Sequence, residues 1–106
     1  MLKEMYIVVK EPGEPPIGRM IMNDVDAFQR IVGGDFEEIK ARLPEGLALF
    51  ANQDAKRLEL KQNLFIGPNL FDLVLGTCYI KTSRDGVDMT PDQMVAAGKW
   101  FSEVSI

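Results

Sequence analysis

The chain begins with apolar residues that favour a β-hairpin. Residues 5–10 are rich in β-branched and aromatic side chains, and residues 11–16 contain three prolines and one glycine. This composition predicts a strand that ends in a turn. Residues 17–22 are expected to pair back on that strand, through a loop longer than the two-residue class.

The segment after the hairpin predicts a short amphipathic helix. Asn23 and Asp24 are residue types that cap helix N-termini, and Gly33 supplies the left-handed conformation in which helices commonly end. Between them, apolar residues recur at helical spacing, which predicts one buried stripe. The stripe consists of Val25, Phe28 and Val32, with Ala27 and Ile31 beside it.

Two antiparallel strands are predicted in the middle of the chain. Charged and apolar residues alternate through residues 37–43, which is typical of a half-buried strand. Residues 44–46 have turn chemistry, and residues 47–51 are apolar at every position, so we expect the second strand in the centre of the sheet. The pattern is irregular over residues 52–69, with a clear break at residues 67–69.

The last third of the chain predicts a long strand and a helix. Residues 71–80 form the longest apolar run, and we expect one strand with a bulge at Gly76. Thr90, Pro91 and Gln93 combine a cap, a proline at the first helical position and a capping box. The predicted apolar stripe of this helix is Met94, Ala97, Phe101 and Val104, flanked by Trp100.

These elements predict an α+β fold. A chain of 106 residues is short of the length of two domains, so we expect one domain over residues 1–106. The expected architecture is a single antiparallel or mixed sheet of about five strands, with two helices on one face, in the order ββα-ββ-βα.

The composition excludes most catalytic chemistry. The chain has no histidine and one cysteine, Cys78, so imidazole-based hydrolysis and a thiolate zinc site are absent. A cation held by Asp35, Glu37 and Glu38 would need convergent oxygens, whereas adjacent strand residues point to opposite faces. We therefore predict no enzyme, no cofactor and no metal.

Charge suggests one candidate interface. Twelve basic residues against 16 acidic ones give a net charge of −4, which disfavours nucleic-acid binding. Five carboxylates lie in one stretch and could form an acidic face for a basic protein partner. They are Asp24, Asp26, Asp35, Glu37 and Glu38. The alternative is a solvated helix start and strand edge.

The irregular middle of the chain offers a second candidate site. It holds the only cluster of positive charge, and loops often carry function. A small anionic ligand could bind Asn52, Lys56, Arg57, Lys61 and Asn63, together with the backbone at Gly76 and Thr77. The alternative is a solvated loop. Four methionines near element ends could also form an adaptable contact surface, although they usually fill gaps in cores. They are Met20, Met22, Met89 and Met94.

The order of these features resembles an uncharacterised domain family of small phage, plasmid and Gram-positive bacterial proteins. The resemblance rests on a helix that ends in Ile31-Val32-Gly33-Gly34, followed by Glu37-Glu38-Ile39, and later on residues 52–56, Asn63 and residues 76–80. The chain departs from the family at Gln53-Asp54-Ala55, where members have an acidic, glycine-containing turn. The resemblance implies no activity. It implies a mobile-element protein that acts on a host factor.

Together these observations predict a non-enzymatic binding protein in the cytoplasm of a bacterial host. We expect it to inhibit a host or defence protein through the acidic stretch, and a homodimer is a further hypothesis. The alternative is a protein that sequesters a small ligand, such as a nucleotide signal, with its basic middle segment. The N-terminus lacks the pattern of a signal peptide, and no window reaches the 18 apolar residues of a membrane span.

Overall fold

The structure is a computed structural model that describes residues 3–67 and 73–106. It has a β-hairpin, a short helix, five further strands and a longer C-terminal helix. In chain order the elements are β1 (Glu4–Lys10), β2 (Ile17–Met22), α1 (Val25–Val32), β3 (Phe36–Ile39), β4 (Leu47–Asn52), β5 (Gln62–Phe65), β6 (Leu73–Leu75), β7 (Cys78–Thr82) and α2 (Pro91–Val104).

Five of the strands form one antiparallel sheet in the order β2-β1-β7-β4-β3. This confirms the α+β class, the N-terminal hairpin and the antiparallel pairing of β3 with β4. The apolar strand β4 lies inside the sheet, as its composition predicts. Strands β5 and β6 pair with each other in a separate small sheet, so the expectation of a single sheet and of the order ββα-ββ-βα is wrong.

The two helices cover opposite faces of the five-stranded sheet, which corrects the prediction that both lie on one face. Val8 packs in one core with Phe101 of α2. Its neighbour Ile7 packs in the other core with Phe28 of α1. Successive strand residues point to opposite faces, and the central strands β1, β7 and β4 each contain consecutive apolar residues, so each face needs a cover. We call these the α2 face and the α1 face.

The predicted strand over residues 71–80 is two strands in two different sheets. Gly76 separates β6 from β7 with φ +78°, and its N–H donates to the Lys61 carbonyl over 2.7 Å. A left-handed residue turns the chain sharply, so the run cannot continue as one strand. Residues 71 and 72 of that prediction, and residues 68 and 69 of the predicted break, lie outside the described residues.

Both helix starts are confirmed. The Asp24 carboxylate accepts a hydrogen bond from Ala27 N over 2.7 Å, and Gly33 ends α1 with φ +80°. Thr90 and Gln93 form the reciprocal capping box, with distances of 3.0 and 3.1 Å. One detail of the α1 stripe is wrong, because Val25 is exposed. Val25 starts the first turn, ahead of the residues that face the sheet.

Strand β3 is shorter than the predicted strand over residues 37–43. It ends at Ile39, and the Arg42 carbonyl accepts a hydrogen bond from Trp100 Nε1 of α2 over 2.8 Å. Ala41 and Leu43 still pack against the core on the α2 face. The alternation therefore predicted which side chains are buried, although the backbone that carries them is not a strand.

Candidate functional site

The five carboxylates of the acidic stretch are divided between the two ends of α1. Asp24 caps the helix and Asp26 lies in its first turn, whereas Asp35 follows its end. A helix of eight residues is about 12 Å long. The hypothesis of one acidic face therefore reduces to three residues around β3, namely Asp35, Glu37 and Glu38.

Glu37 and Glu38 lie on an edge strand and point to opposite faces of the sheet. Glu37 is opposite Ala51, which packs on the α2 face, and Glu38 is opposite Phe50, which packs on the α1 face. Both glutamates are exposed. Among residues 3–67 and 73–106, no strand pairs with the outer edge of β3. This edge offers backbone N–H and C=O groups between two carboxylates.

Hydrogen bonds from two glutamines position Asp35. Its carboxylate accepts from Gln29 Nε2 over 2.9 Å and from Gln53 Nε2 over 3.4 Å. Its carbonyl accepts from Gln53 N over 3.0 Å, which ties the start of β3 to the end of β4. The ion pair between Glu38 and Lys40 spans 3.2 Å and joins two exposed side chains, so it holds Glu38 only weakly.

The two asparagines of the second candidate site are buried and form hydrogen bonds that stabilise the fold. Asn52 Nδ2 donates to the Val32 carbonyl over 3.2 Å, and its Oδ1 accepts from Asp54 N over 2.7 Å. Asn63 Oδ1 accepts from Lys10 Nζ over 3.1 Å, and its Nδ2 donates to the Lys10 carbonyl over 2.8 Å. Their polar atoms are already engaged, so neither is placed to bind a ligand.

The remaining residues of that site are dispersed. Lys56 and Arg57 are exposed in the turn after β4, where Arg57 Nη2 lies 3.5 Å from an Asp54 carboxylate oxygen. Lys61 lies near the β1–β2 turn, and Gly76 is buried. Thr77 lines a separate cleft beside α1. The structure therefore divides the predicted set: Asn52, Lys56 and Arg57 lie together around the end of β4, whereas the Lys61 carbonyl and Asn63 Nδ2 bond to the backbone of Gly76.

A cleft of about 490 Å³ brings residues of both candidate sites together. Glu37 from the acidic stretch lines it, as do Lys56 and Arg57 from the basic segment. Its apolar lining is Ile39, Ala51, Ala55, Ile66, Leu73, Val74 and Leu75. Sequence reasoning missed the wall formed by β6 because the β5–β6 pairing was not predicted. The available signal was the apolar stretch over residues 64–66, just before Gly67.

Comparison with protein families finds a match over most of the chain. Residues 5–102 match the model of a family described as Domain of unknown function (DUF3846). The chain belongs to the DUF3846 family. No curated protein and no solved structure matches it. The match confirms membership of a family without an assigned function, and the β3 edge and the cleft both lie within the DUF3846 region.

The only cysteine of this DUF3846 protein is not a reactive nucleophile. Cys78 is fully buried, and burial raises the pKa of its thiol to about 12, an effect that the nearby Lys10 ammonium only partly offsets. The thiol is therefore protonated at neutral pH. Burial likewise raises the pKa of the neighbouring Tyr79 hydroxyl.

The described part of the DUF3846 chain holds no cluster of three or more cysteine, aspartate or glutamate side chains that could bind a metal ion. It also holds no helix with the length and apolar character needed to cross a membrane.

Proposed function

We propose that this DUF3846 protein is a non-enzymatic binding protein that takes an extended, basic segment of a partner protein along the outer edge of β3. The observation that carries the proposal is the outer edge of β3, which no strand of the described residues covers and which has an exposed glutamate on each face of the sheet. Asp35 adds a third carboxylate at the start of the strand.

Strand addition at a sheet edge supplies affinity through main-chain hydrogen bonds and specificity through alternate side chains. Residues directly opposite each other on neighbouring strands share a face. A partner strand would therefore place lysine or arginine opposite Glu37 and Glu38. A side chain opposite Ile39 would lie on the α2 face, the side on which the cleft opens, so an apolar residue is favoured there.

Charge favours such a partner over a second copy of β3. Antiparallel pairing of two copies about an axis at Glu37 or at Glu38 would place a carboxylate directly opposite its equivalent. Like charges in that position destabilise a strand pair. The two glutamates thus protect this edge from self-association while leaving it open to a basic strand.

The role that we propose for this binding is inhibition of a host or defence protein by a phage or mobile-element accessory in the bacterial cytoplasm. Three features support it: the short chain of 106 residues, its net charge of −4 and the resemblance described above. An interface of about 800 Å² per partner is typical of stable complexes. The chain exposes 6578 Å², so such an interface would take about an eighth of its surface.

The test is native mass spectrometry of the tagged protein recovered from a bacterial lysate. We expect a stoichiometric protein-sized mass addition that is lost in the double variant Glu37→Lys/Glu38→Lys. The matched control, Glu14→Lys/Glu103→Lys, makes the same charge change at exposed glutamates outside β3 and should keep the addition. Asp26→Lys should keep it too, because Asp26 lies at the other end of α1.

Two results would contradict the proposal. One is the addition of a partner other than a second 11.9 kDa copy of this chain that survives reversal of Glu37 and Glu38, and the other is an addition of such a partner that is lost equally in the control variant. Circular dichroism of each variant separates loss of binding from loss of fold.

A second candidate function is binding of a small anionic ligand in the cleft. It is favoured by the cleft volume of about 490 Å³, which lies within the usual range for small-molecule sites, and by Lys56 and Arg57 beside an apolar lining. In the same experiment it predicts a small-molecule-sized mass addition that is lost in Lys56→Ala/Arg57→Ala and kept in Glu14→Lys/Glu103→Lys, which lie outside the cleft.

A further inference from the structure

The opposite edge of the five-stranded sheet differs from β3 in its chemistry. Strand β2 has six residues, and Arg19 is its only charged one. Ile17, Met20 and Met22 are large apolar residues that are 53%, 47% and 40% exposed. Among residues 3–67 and 73–106, β2 pairs with β1 alone.

An apolar patch lies on the α2 face of this edge. Met20 is opposite Tyr6, and Met22 is two residues further along the same face. Tyr6 is also exposed, at 38%. We call Tyr6, Met20 and Met22 the hairpin patch. The methionines in it are flexible side chains suited to an adaptable contact.

Natural sheets protect free edges with charges, prolines or short strands. Strand β3 has this protection in two glutamates and a length of four residues. Strand β2 is longer and has no carboxylate. An exposed apolar edge of this kind is a template for another strand, and the hairpin patch gains burial when that strand is added.

We propose that β2 pairs antiparallel with β2 of a second copy of this chain, about a two-fold axis at Met20. Two sheets of five strands would then form one continuous sheet of ten. The hairpin patches of both copies would meet on one face, with Met20 beside Met20 of the second copy. This inference does not depend on a partner at β3.

The sequence of β2 selects this register. An axis at Met20 places Gly18 opposite Met22 of the second copy, so the Met22 side chain would pack beside Met94 of α2, whose Cε lies over Gly18. The same axis places Arg19 opposite Ile21 of the second copy, so the two guanidinium groups are not opposite each other. An axis at Arg19 would oppose two guanidinium groups, which is destabilising.

The two neighbouring registers shorten or interrupt the pairing. An axis at Ile21 would leave only residues 20–22 of β2 paired, because the strand ends at Met22. An axis at Gly18 would bring Pro16 opposite Met20 of the second copy, and proline has no N–H to donate. The register about Met20 pairs residues 18–22 and includes no proline.

Repulsion between the two acidic β3 edges does not oppose this dimer. The acidic residues around β3 are at the other edge of the sheet, four strand spacings or about 19 Å from β2. That separation exceeds the Debye length of about 8 Å at physiological ionic strength. The two copies therefore approach each other through β2, the edge of the sheet that is farthest from β3.

Sedimentation equilibrium over a wide range of concentration tests the oligomeric state. We expect a concentration-dependent mass that approaches twice the 11.9 kDa of the chain. Met20→Lys should remain monomeric at concentrations where the parent protein is dimeric. The control Leu58→Lys changes a residue of similar exposure, 45%, beyond the β4 end of the sheet, and should remain dimeric.

Cysteine cross-linking tests the register. At a two-fold axis, Met20→Cys would bring two Cα atoms to about 4.5–5.5 Å, which suits a disulfide. Oxidation should therefore cross-link Met20→Cys, whereas Arg19→Cys should stay uncrosslinked because its partner is displaced along the strand. The native Cys78 is buried and does not compete.

A parent protein that is monomeric at every concentration overturns the proposal. So does a dimer that Met20→Lys leaves intact, or equal cross-linking of Arg19→Cys and Met20→Cys. Thermal melts followed by circular dichroism verify that each variant is folded before its mass is compared.

Discussion

Asn63 makes buried polar contacts with two other parts of the chain. Lys10 is only 1% exposed, and its ammonium donates to the Glu11 carbonyl over 2.8 Å and to Asn63 Oδ1 over 3.1 Å. Asn63 Nδ2 donates in return to the Lys10 carbonyl and to the Gly76 carbonyl, over 2.8 and 2.9 Å. One amide thereby connects the end of β1, strand β5 and the turn between β6 and β7.

Replacing Asn63 with leucine should destabilise the protein by about 2–4 kcal/mol. The buried ammonium would lose an acceptor and two carbonyls would lose a donor, and such unpaired groups carry the full cost of desolvation. Urea denaturation measures the loss. The control Gln62→Ala changes an exposed neighbour and should stay within about 0.5 kcal/mol of the parent. A loss for Asn63→Leu no larger than that of the control would show that the contacts are dispensable.

The structural role of Asn63 could not be predicted from the sequence. Its partner Lys10 is 53 residues away, and an asparagine in an irregular segment looks like a surface residue. The role of Asn52 could not be predicted either, because its side chain donates a hydrogen bond to the Val32 carbonyl, 20 residues away, and accepts one from Asp54 N. In contrast, the exposure of Lys56 and Arg57 was predictable, because lysine and arginine side chains are seldom fully buried.

Helices and strands were predictable to the extent that their determinants are local. The Asp24 cap, the Gly33 stop and the capping box of α2 each lie within a few residues of the helix that they define. The apolar stretch at residues 64–66 and the predicted strand over residues 71–80 mark β5 and β6, but no local signal shows that these two strands pair with each other. Strand β5 is held by long-range hydrogen bonds, such as the one from Ile106 N to the Asn63 carbonyl over 3.0 Å. The pairing of β5 with β6 therefore depends on the completed fold.

Gly76 determines where β6 ends, and its replacement gives a prediction with a built-in control. A Cβ at this position would lie 2.7 Å from Leu60 Cδ1, and φ is +78°. Gly86 has φ +75° with no atom within 4 Å of that point. Gly86→Ala should therefore lower the free energy of unfolding by about 1–2 kcal/mol, the cost of placing alanine in a left-handed backbone conformation. Gly76→Ala should lower it by about 1–3 kcal/mol more, because its Cβ would overpack against Leu60.

Thermal and urea denaturation of the two glycine variants measure this difference. Shortening the contact side chain provides a further check, because Gly76→Ala should cost less in a Leu60→Ala background than in the parent. Equal losses for Gly76→Ala and Gly86→Ala would mean that Leu60 moves aside freely, and the close approach would then have no energetic consequence.

The arrangement of the two helices follows from the composition of the central strands. On the α1 face the Tyr79 ring stacks between Phe28 and Phe50, with centroid distances of 5.2 and 5.3 Å. The adjacent Cys78 and Ile80 belong to the core on the α2 face. A strand that is apolar at successive positions requires cover on both sides, so the sequence contained the reason for two layers of helix.

The candidate surfaces also become distinct only in the assembled fold. Sequence proximity grouped five carboxylates that α1 separates, whereas folding brings Glu37 into the same cleft as Lys56 and Arg57. The free edges are set by strand order, which local pattern does not determine. Once that order is known, the residues at the two edges of the sheet can be compared: β3 carries two glutamates and β2 carries exposed methionines.

Stability of the folded chain should fall at alkaline pH through Cys78. Burial raises the pKa of this thiol from 9.0 to about 12, so the folded state retains a proton that the unfolded state releases. The contribution of Cys78 is complete below pH 9.0 and is lost as the pH rises towards about 12. The loss approaches about 1.4 kcal/mol per pH unit within that window.

Urea denaturation at neutral pH and at about pH 10 measures this loss, with Cys78→Ala as the reference. Cys78→Ala should be less stable than the parent protein at both pH values. Its free energy of unfolding should fall less steeply than that of the parent between neutral pH and about pH 10. Tyr79 contributes to both proteins, because burial raises its pKa in the same direction, so the difference in slope isolates Cys78. Parallel slopes for the two proteins would mean that the buried thiol ionises in the folded state as readily as in the unfolded one.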